Sequence, residues 1–295
     1  MKNIFKHKYL FAIIYSLLLI SFTIYLLLDT LVIPKTHVKV NVVASEEKQT
    51  EFKVTDTQYI DENIQIEIKT YEKNSCTIYV ADIILSDAKY LKTTFAQDIF
   101  GVNILERTSK ITARNNGILA INGDYYSARE RGYVYKNNVA YRTSPDSWRE
   151  CLAIFPNGKF GIYKEREVAL SALEQMNVKD ILSFGPVLLK DGEAPETLQN
   201  PQRFYATRHP RTAIGIIDDL HYVFVVTSGR TTEKPGLTLP EFAEFLKTLN
   251  VDIAYNLDGG GSSTMYFNGK VINNPSYDDD VVEEREVSDI VYIGY

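Results

Sequence analysis

The sequence predicts an α+β fold: a mixed, mostly antiparallel sheet built from hairpins, with a few packed helices, preceded by one transmembrane helix. Three observations carry this expectation. Short alternating apolar segments are joined by tight turns, one amphipathic helix is well capped, and an uncharged apolar run stands near the N-terminus. The chain then divides into residues 1–8 as a cytoplasmic tail, 9–28 as the membrane span, 29–57 as a tether and 58–295 as the folded domain.

The strands come first. Ile64, Ile66 and Ile68 alternate with polar neighbours, and a turn at Glu72–Ser75 leads into a second strand, Cys76–Leu85. Gly117–Asn122 is a short apolar run that opens into a loop. Cys151–Phe155 and Lys159–Tyr163 flank Pro156-Asn157-Gly158, a hairpin signal. Thr212–Ile217 and Tyr222–Thr227 flank Asp218-Asp219, and Met265–Phe267 and Lys270–Ile272 flank Asn268-Gly269. The clear helix begins after Thr238, where Leu239-Pro240-Glu241 completes a capping box with proline in the first turn. Phe242, Phe245, Leu246 and Leu249 give it one apolar stripe, and Val251–Leu257 follows as a strand. A second helix is expected within 166–182.

The apolar run Tyr9–Leu28 has no charged residue. It is about 20 residues long, which at about 1.5 Å per residue crosses a hydrocarbon core of roughly 30 Å. Lys2, Lys6 and Lys8 precede it and Asp29 follows, so the positive-inside rule places the N-terminus in the cytoplasm and the domain outside. A cleaved signal peptide has an apolar core of only about 7–15 residues and a small-residue cleavage site, and neither fits here. Residues 44–53 are polar and without period, as a tether requires.

Composition excludes some classes. With 45% hydrophobic and 24% charged residues the chain is globular rather than disordered. A net charge of −6 argues against a nucleic-acid partner, which needs a basic surface. Cys76 and Cys151, outside the membrane, either pair or stand as separately buried thiols. No CxxC or CxxH spacing occurs, so a zinc site built on cysteine is not expected; with four unclustered histidines no metal site is assigned, a metal role for Asp258 being the lesser alternative. The acidic run Asp278-Asp279-Asp280 with Glu283 and Glu284 reads as a solvated loop rather than a calcium site. Oligomeric state is not encoded in any legible pattern.

Three segments use residue types that sites favour. Asn122-Gly123-Asp124 follows the strand GILAIN; as residue types these also make a plain turn. Arg211 and Arg230 stand at the two ends of a tight hairpin that share one edge of the sheet. Two guanidinium groups side by side favour an anion between them, and their planar forks match phosphate oxygens; pairing with surface carboxylates is the plainer reading. The third segment, Asn256-Leu257-Asp258-Gly259-Gly260-Gly261-Ser262-Ser263-Thr264, places three glycines at the end of a buried strand. Such a run suits a backbone that approaches a ligand closely or wraps an anion with N–H groups. The GK[ST] ending of a P-loop is missing.

In this order, ILAINGDYY, SFGPVLLKDG (183–192), RTAIGI (211–216), SGRTTEKPGLTLPEFAEFL (228–246) and NLDGGGSST (256–264) resemble the phosphodiester glycosidase family over roughly residues 76–295. The resemblance implies hydrolysis of a sugar-1-phosphate diester, with an α-linked N-acetylhexosamine as the leading sugar and no cofactor. Bacterial relatives labelled as exopolysaccharide proteins imply a surface phosphoglycan or a teichoic-acid-like polymer as substrate. One departure stands out: Asp124 occupies the place of the family's second glycine.

Under that reading a phosphate diester is already a good leaving group, so the protein must hold the phosphate and stabilise an oxocarbenium-like transition state. Asp258 is the expected carboxylate at the anomeric centre, with Asp124 as the second candidate. Asn122 is expected to orient a sugar hydroxyl. Arg211, Arg230, the backbone of Gly259, Gly260 and Gly261, and the hydroxyls of Ser262 and Ser263 are expected on the phosphate. The alternative is a non-catalytic glycan-binding or polymer-export accessory protein with the same pocket.

Overall fold

A computed structural model describes residues 2–40, 52–200, 203–231, 233–278 and 281–295. The α+β expectation holds: every strand pair is antiparallel, and the helices of the domain are short. An eight-stranded sheet runs in the order Val187–Leu189, Ile253–Leu257, Thr212–Asp218, His221–Thr227, Cys76–Leu85, Ile64–Lys73, Gln58–Ile60, Lys53–Val54. A five-stranded sheet orders Lys270–Val271, Met265–Phe267, Gly117–Asn122, Asp289–Gly294 and Leu91–Phe95. A third sheet joins Glu150–Ile154 and Phe160–Lys164 to Asp180–Leu182, Val134–Lys136 and Val139–Arg142.

The alternation in the sequence explains the layering. In His221–Thr227, Tyr222, Phe224 and Val226 enter the core shared with the other two sheets. Val223 and Val225 face the opposite way, against Phe242 and Leu246 of the capped helix. A strand buried on both faces must be apolar throughout, and this one is. The helix Leu239–Lys247 has the expected capping box, with Thr238 and Glu241 exchanging hydrogen bonds. The 166–182 helix narrows to Leu170–Gln175. The hairpins expected at 64–85, 151–163, 212–227 and 265–272 all form.

The segment expected as a tether differs. Lys35–Lys39 pairs antiparallel with Ile99–Val102, and Lys53–Val54 pairs with Gln58–Ile60. Asn103 donates to the carbonyls of Thr30 and Ile33, fastening the end of the N-terminal helix to the domain. The exposed edge of Ile99–Val102 offers unpaired backbone groups that a neighbouring polar segment can satisfy, whatever its own lack of period. Residues 41–51, most of the polar stretch, lie outside the described residues, as do Asp279 and Asp280 of the acidic run.

The N-terminal helix Lys2–Leu31 contains a span, Tyr9–Leu31, of mean hydropathy 2.4 that nothing in the domain buries. It is long and apolar enough to cross a membrane. Cys76 and Cys151 are both free thiols, each buried in a separate core.

Candidate active site

The site lies where the eight-stranded and five-stranded sheets meet. Thr212 pairs with Leu257 in one sheet, and Gly117–Asn122 ends beside them in the other. Asn122 ties the two together. Its Nδ2 donates to the Asp258 carbonyl at 2.6 Å, while its Oδ1 accepts from Thr212 Oγ1 at 2.9 Å and from Thr264 N at 3.2 Å. The Asp258 N–H in turn donates to the Gly123 carbonyl at 3.2 Å. Asn122 has no exposed surface. The expectation that it orients a sugar hydroxyl is therefore corrected: it is a buried brace that fixes the start of the glycine segment.

A cavity of about 430 Å³ opens at this junction, lined by Asp258, Arg211, Arg230, Arg285, His209 and Phe184 among others. Three arginines thus surround one carboxylate. Asp258 is half-buried, and its Oδ1 accepts from the Gly259 N–H at 2.9 Å, which holds the carboxylate in one direction. Burial pushes its pKa above the usual aspartate range, against the downward pull of Ser262, Gly259, Arg285 and Arg129. The Ser262 hydroxyl is near enough to exert that pull, yet it meets no partner at hydrogen-bonding geometry.

Arg211 is 5% exposed. Its Nε donates to the Leu237 carbonyl at 3.0 Å and its Nη2 to the Thr207 carbonyl at 2.7 Å. Burial pushes its pKa down to about 10. A buried guanidinium held by neutral carbonyls is cheapest to keep where an anion can approach it.

Two of the three glycine N–H groups are engaged within the protein. The Gly260 N–H donates to the Pro210 carbonyl at 2.9 Å and the Gly259 N–H to Asp258, so neither cradles an anion. Side chains are excluded for steric reasons. A Cβ on Gly259 would lie 2.7 Å from the Pro210 carbonyl oxygen. One on Gly260, whose φ is +62°, would lie 2.7 Å from Arg230 Nη2, and one on Gly261 would lie 2.9 Å from the Arg285 guanidinium. Two arginines therefore pack against the glycine backbone. A prediction follows from what each neighbour can give. Gly259→Ala meets rigid backbone and should cost about 1–3 kcal/mol. Gly261→Ala meets only the end of a long side chain, so its thermal melt should stay close to wild type. Equal losses of Tm in the two variants would refute this account.

Other assignments also change. Ser262 and Ser263 are each 1% exposed and absent from the cavity wall, and Ser263 Oγ lies 3.1 Å from Thr212 Oγ1, to which it can donate. Asp124 is 4% exposed, ion-paired with Arg129 through one oxygen and accepting from the Ser183 N–H at 2.9 Å through the other. It does not reach the cavity either, because a carboxylate at a buried turn is drawn to the nearest cation and N–H. Asp124 is corrected from a second catalytic candidate to a brace.

Arg285, His209 and Phe184 were not among the expected site residues. Arg285 stands alone among Glu283, Glu284 and Glu286, a signal visible in the sequence but hidden by the acidity of the run. Of that run, Glu283 pairs with Arg107 at 2.6 Å and Glu284 accepts from Ser109 N at 2.7 Å and Oγ at 2.6 Å. Among the described residues no group of three or more His, Cys, Asp or Glu side chains could hold a metal ion.

Comparison with known proteins gives this junction a lineage. An uncharacterized SPbeta prophage-derived protein of Bacillus subtilis, YomE, is 28% identical over 201 residues, which cover 66% of this chain and 31% of that one. The N-acetylglucosamine-1-phosphodiester alpha-N-acetylglucosaminidase of Mus musculus is 29% identical over 139 residues, 41% of this chain and 27% of that one. This chain thus spans about a third or less of the length of both relatives. The zebrafish N-acetylglucosamine-1-phosphodiester alpha-N-acetylglucosaminidase catalytic domain, auto-inhibited by its pro-peptide, shares the fold with a TM-score of 0.63 at 21% identity, over 90% of this chain and 89% of that one. The sequence profile named Phosphodiester glycosidase matches residues 115–294, which include Asn122, Arg211, Arg230, the glycine segment and Arg285. The braced glycine turn and the residues that line the arginine-walled cavity fall inside that match, and the chain belongs to the phosphodiester glycosidase family.

Proposed function

We propose that this protein hydrolyses the glycosidic bond of a sugar-1-phosphate diester, with residues 58–295 as the catalytic domain. The observation that carries the reading is one half-buried carboxylate, Asp258, in a cavity walled by Arg211, Arg230 and Arg285. The arginines bind the phosphate and neutralise charge as it leaves. Asp258, fixed by the Gly259 N–H, meets the anomeric carbon and stabilises the oxocarbenium-like transition state. Asn122 acts at one remove, by positioning the loop that carries Asp258, and Asp124 by holding Arg129 and the Ser183 backbone beside Phe184. Family membership and the curated N-acetylglucosaminidase relatives favour an N-acetylhexosamine as the sugar.

The apolar helix supports a single-pass anchor, with its lysine-rich end in the cytoplasm and the catalytic domain outside. A surface phosphoglycan or teichoic-acid-like polymer is then within reach. Product analysis on sugar-1-phosphate diesters tests the reaction. The expected products are free reducing sugar and a phosphomonoester, and the activity should fractionate with membranes and be lost when intact cells are treated with protease. Release of a sugar phosphate would instead mean P–O cleavage, and absence of turnover would leave a glycan-binding protein.

A further inference from the structure

Two further cavities flank the proposed site, and they differ in charge. On one side, a cavity of about 600 Å³ adjoins the active-site cavity, the two sharing Phe184 and Phe204 as lining. Its wall carries Arg149, Lys164 and Arg166 with Asp146 and Glu150; Arg149 pairs with Asp146 at 3.0 Å, and Arg166 and Lys164 share Glu167 at 3.2 and 3.5 Å, at an exposed rim where a phosphate can compete for them. On the other side, beyond Arg285, a cavity of about 710 Å³ is lined by Glu283, Glu284 and Glu286 against Arg107 and Arg285, three carboxylates to two cations. An anionic chain leaving the active site is drawn to the first side and repelled from the second.

The first side also has aromatic surface that the fold does not use. Trp148 is 89% exposed and Phe204 49% exposed, both on the wall of this cavity. Tyr205 meets Phe204 edge-on at 5.5 Å and adds a third ring. Single exposed apolar side chains are ordinary, but several rings gathered in one groove that leads from a polar site mark a binding surface. Phe184, the shared wall, has two cations on its ring: the guanidinium carbons of Arg129 and Arg149 lie 5.6 Å and 5.9 Å from its centroid. Arg149 also donates to the Phe184 carbonyl, so the wall between the cavities is rigid.

We infer that the Trp148 arm is a subsite for the sugar unit next to the scissile linkage in a polymeric glycosyl phosphodiester. The apolar face of the sugar ring lies on Trp148 and Phe204, and the phosphate that follows it meets Arg149 and Arg166. The inference rests on the glycosyl phosphodiester reading above and adds that the substrate is a chain, which runs away from the acidic side.

The test uses the full chain in detergent and two probes, an oligomer of N-acetylglucosamine 1-phosphate repeats and the methyl phosphodiester of a single repeat. The protein contains one tryptophan, so its tryptophan emission comes from Trp148 alone. The oligomer should shift or quench that emission and the single repeat should not. In Trp148→Ala, the ratio of kcat/KM for oligomer over single repeat should fall about tenfold, through KM, the scale of one lost aromatic contact. Emission unmoved by saturating oligomer, or an unchanged ratio, overturns the subsite. If neither probe is hydrolysed the reaction reading fails instead, and the emission titration still decides whether the oligomer occupies this arm.

Discussion

Asp258→Asn is expected to lower kcat by about 10² or more, the scale of a lost general base or nucleophile, while the protein stays folded. The amide is nearly the same size, and its oxygen can still accept from the Gly259 N–H, which lies 2.9 Å from the present carboxylate oxygen. Stability should move in the opposite direction from activity. Burial raises the folded-state pKa of Asp258 above its unfolded value, so the folded state holds the proton more tightly. The ionised carboxylate therefore opposes folding at neutral pH; that penalty is absent below the unfolded pKa and sets in as pH rises towards the folded one. Asp258→Asn should thus melt at or above the wild-type temperature near neutral pH, and the difference should close in acid. The same shift predicts that the acid limb of kcat/KM lies at higher pH than an ordinary aspartate would give. Full turnover by a stable Asp258→Asn protein, or a drop in Tm that accounts for the lost activity, would remove Asp258 from the chemistry.

Arg230→Lys should reduce kcat/KM for the phosphodiester by roughly tenfold to a hundredfold, since hydrogen bonds to charged groups contribute on the order of 1.5–3 kcal/mol. Arg230 sits at a φ of +64°, and its guanidinium packs against Gly260 through Nη2. Lysine bears the same backbone strain and the same charge, so the comparison isolates the planar fork. A lysine ammonium can neither pack a planar group against Gly260 nor give two parallel hydrogen bonds to a phosphate. Binding of the free sugar should change much less than binding of the diester. Kinetics identical to wild type would show that phosphate is held by Arg211 and Arg285 alone.

Legibility in the sequence followed the range of the interactions. The hairpins, the Thr238 capping box and the apolar N-terminal run were readable because period and capping are local properties, complete within a few residues. Asp258, Arg211 and Arg230 were readable as candidates because charged residues beside a glycine run at a strand end are unusual whatever the fold, and all three line one cavity. What local patterning cannot carry is which distant group faces which. Arg285 reaches the site only because the strand Asp289–Gly294 pairs with Gly117–Asn122, which brings the C-terminal loop over Gly261. The three glycines read as an anion cradle; the positions of Pro210, Arg230 and Arg285 show why each must also lack a side chain.

The sequence by itself determined the antiparallel α+β architecture and the apolar span, and it marked Asp258, Arg211 and Arg230 as candidates, because each is expressed in neighbouring residues. Only the tertiary structure decided that Asn122 and Asp124 are braces, that Ser262 and Ser263 are enclosed, and that residues 35–39 form an edge strand instead of a free tether. Those roles depend on hydrogen bonds and ion pairs across long stretches of chain, and a polar side chain takes whichever partner the folded backbone brings within about 3 Å.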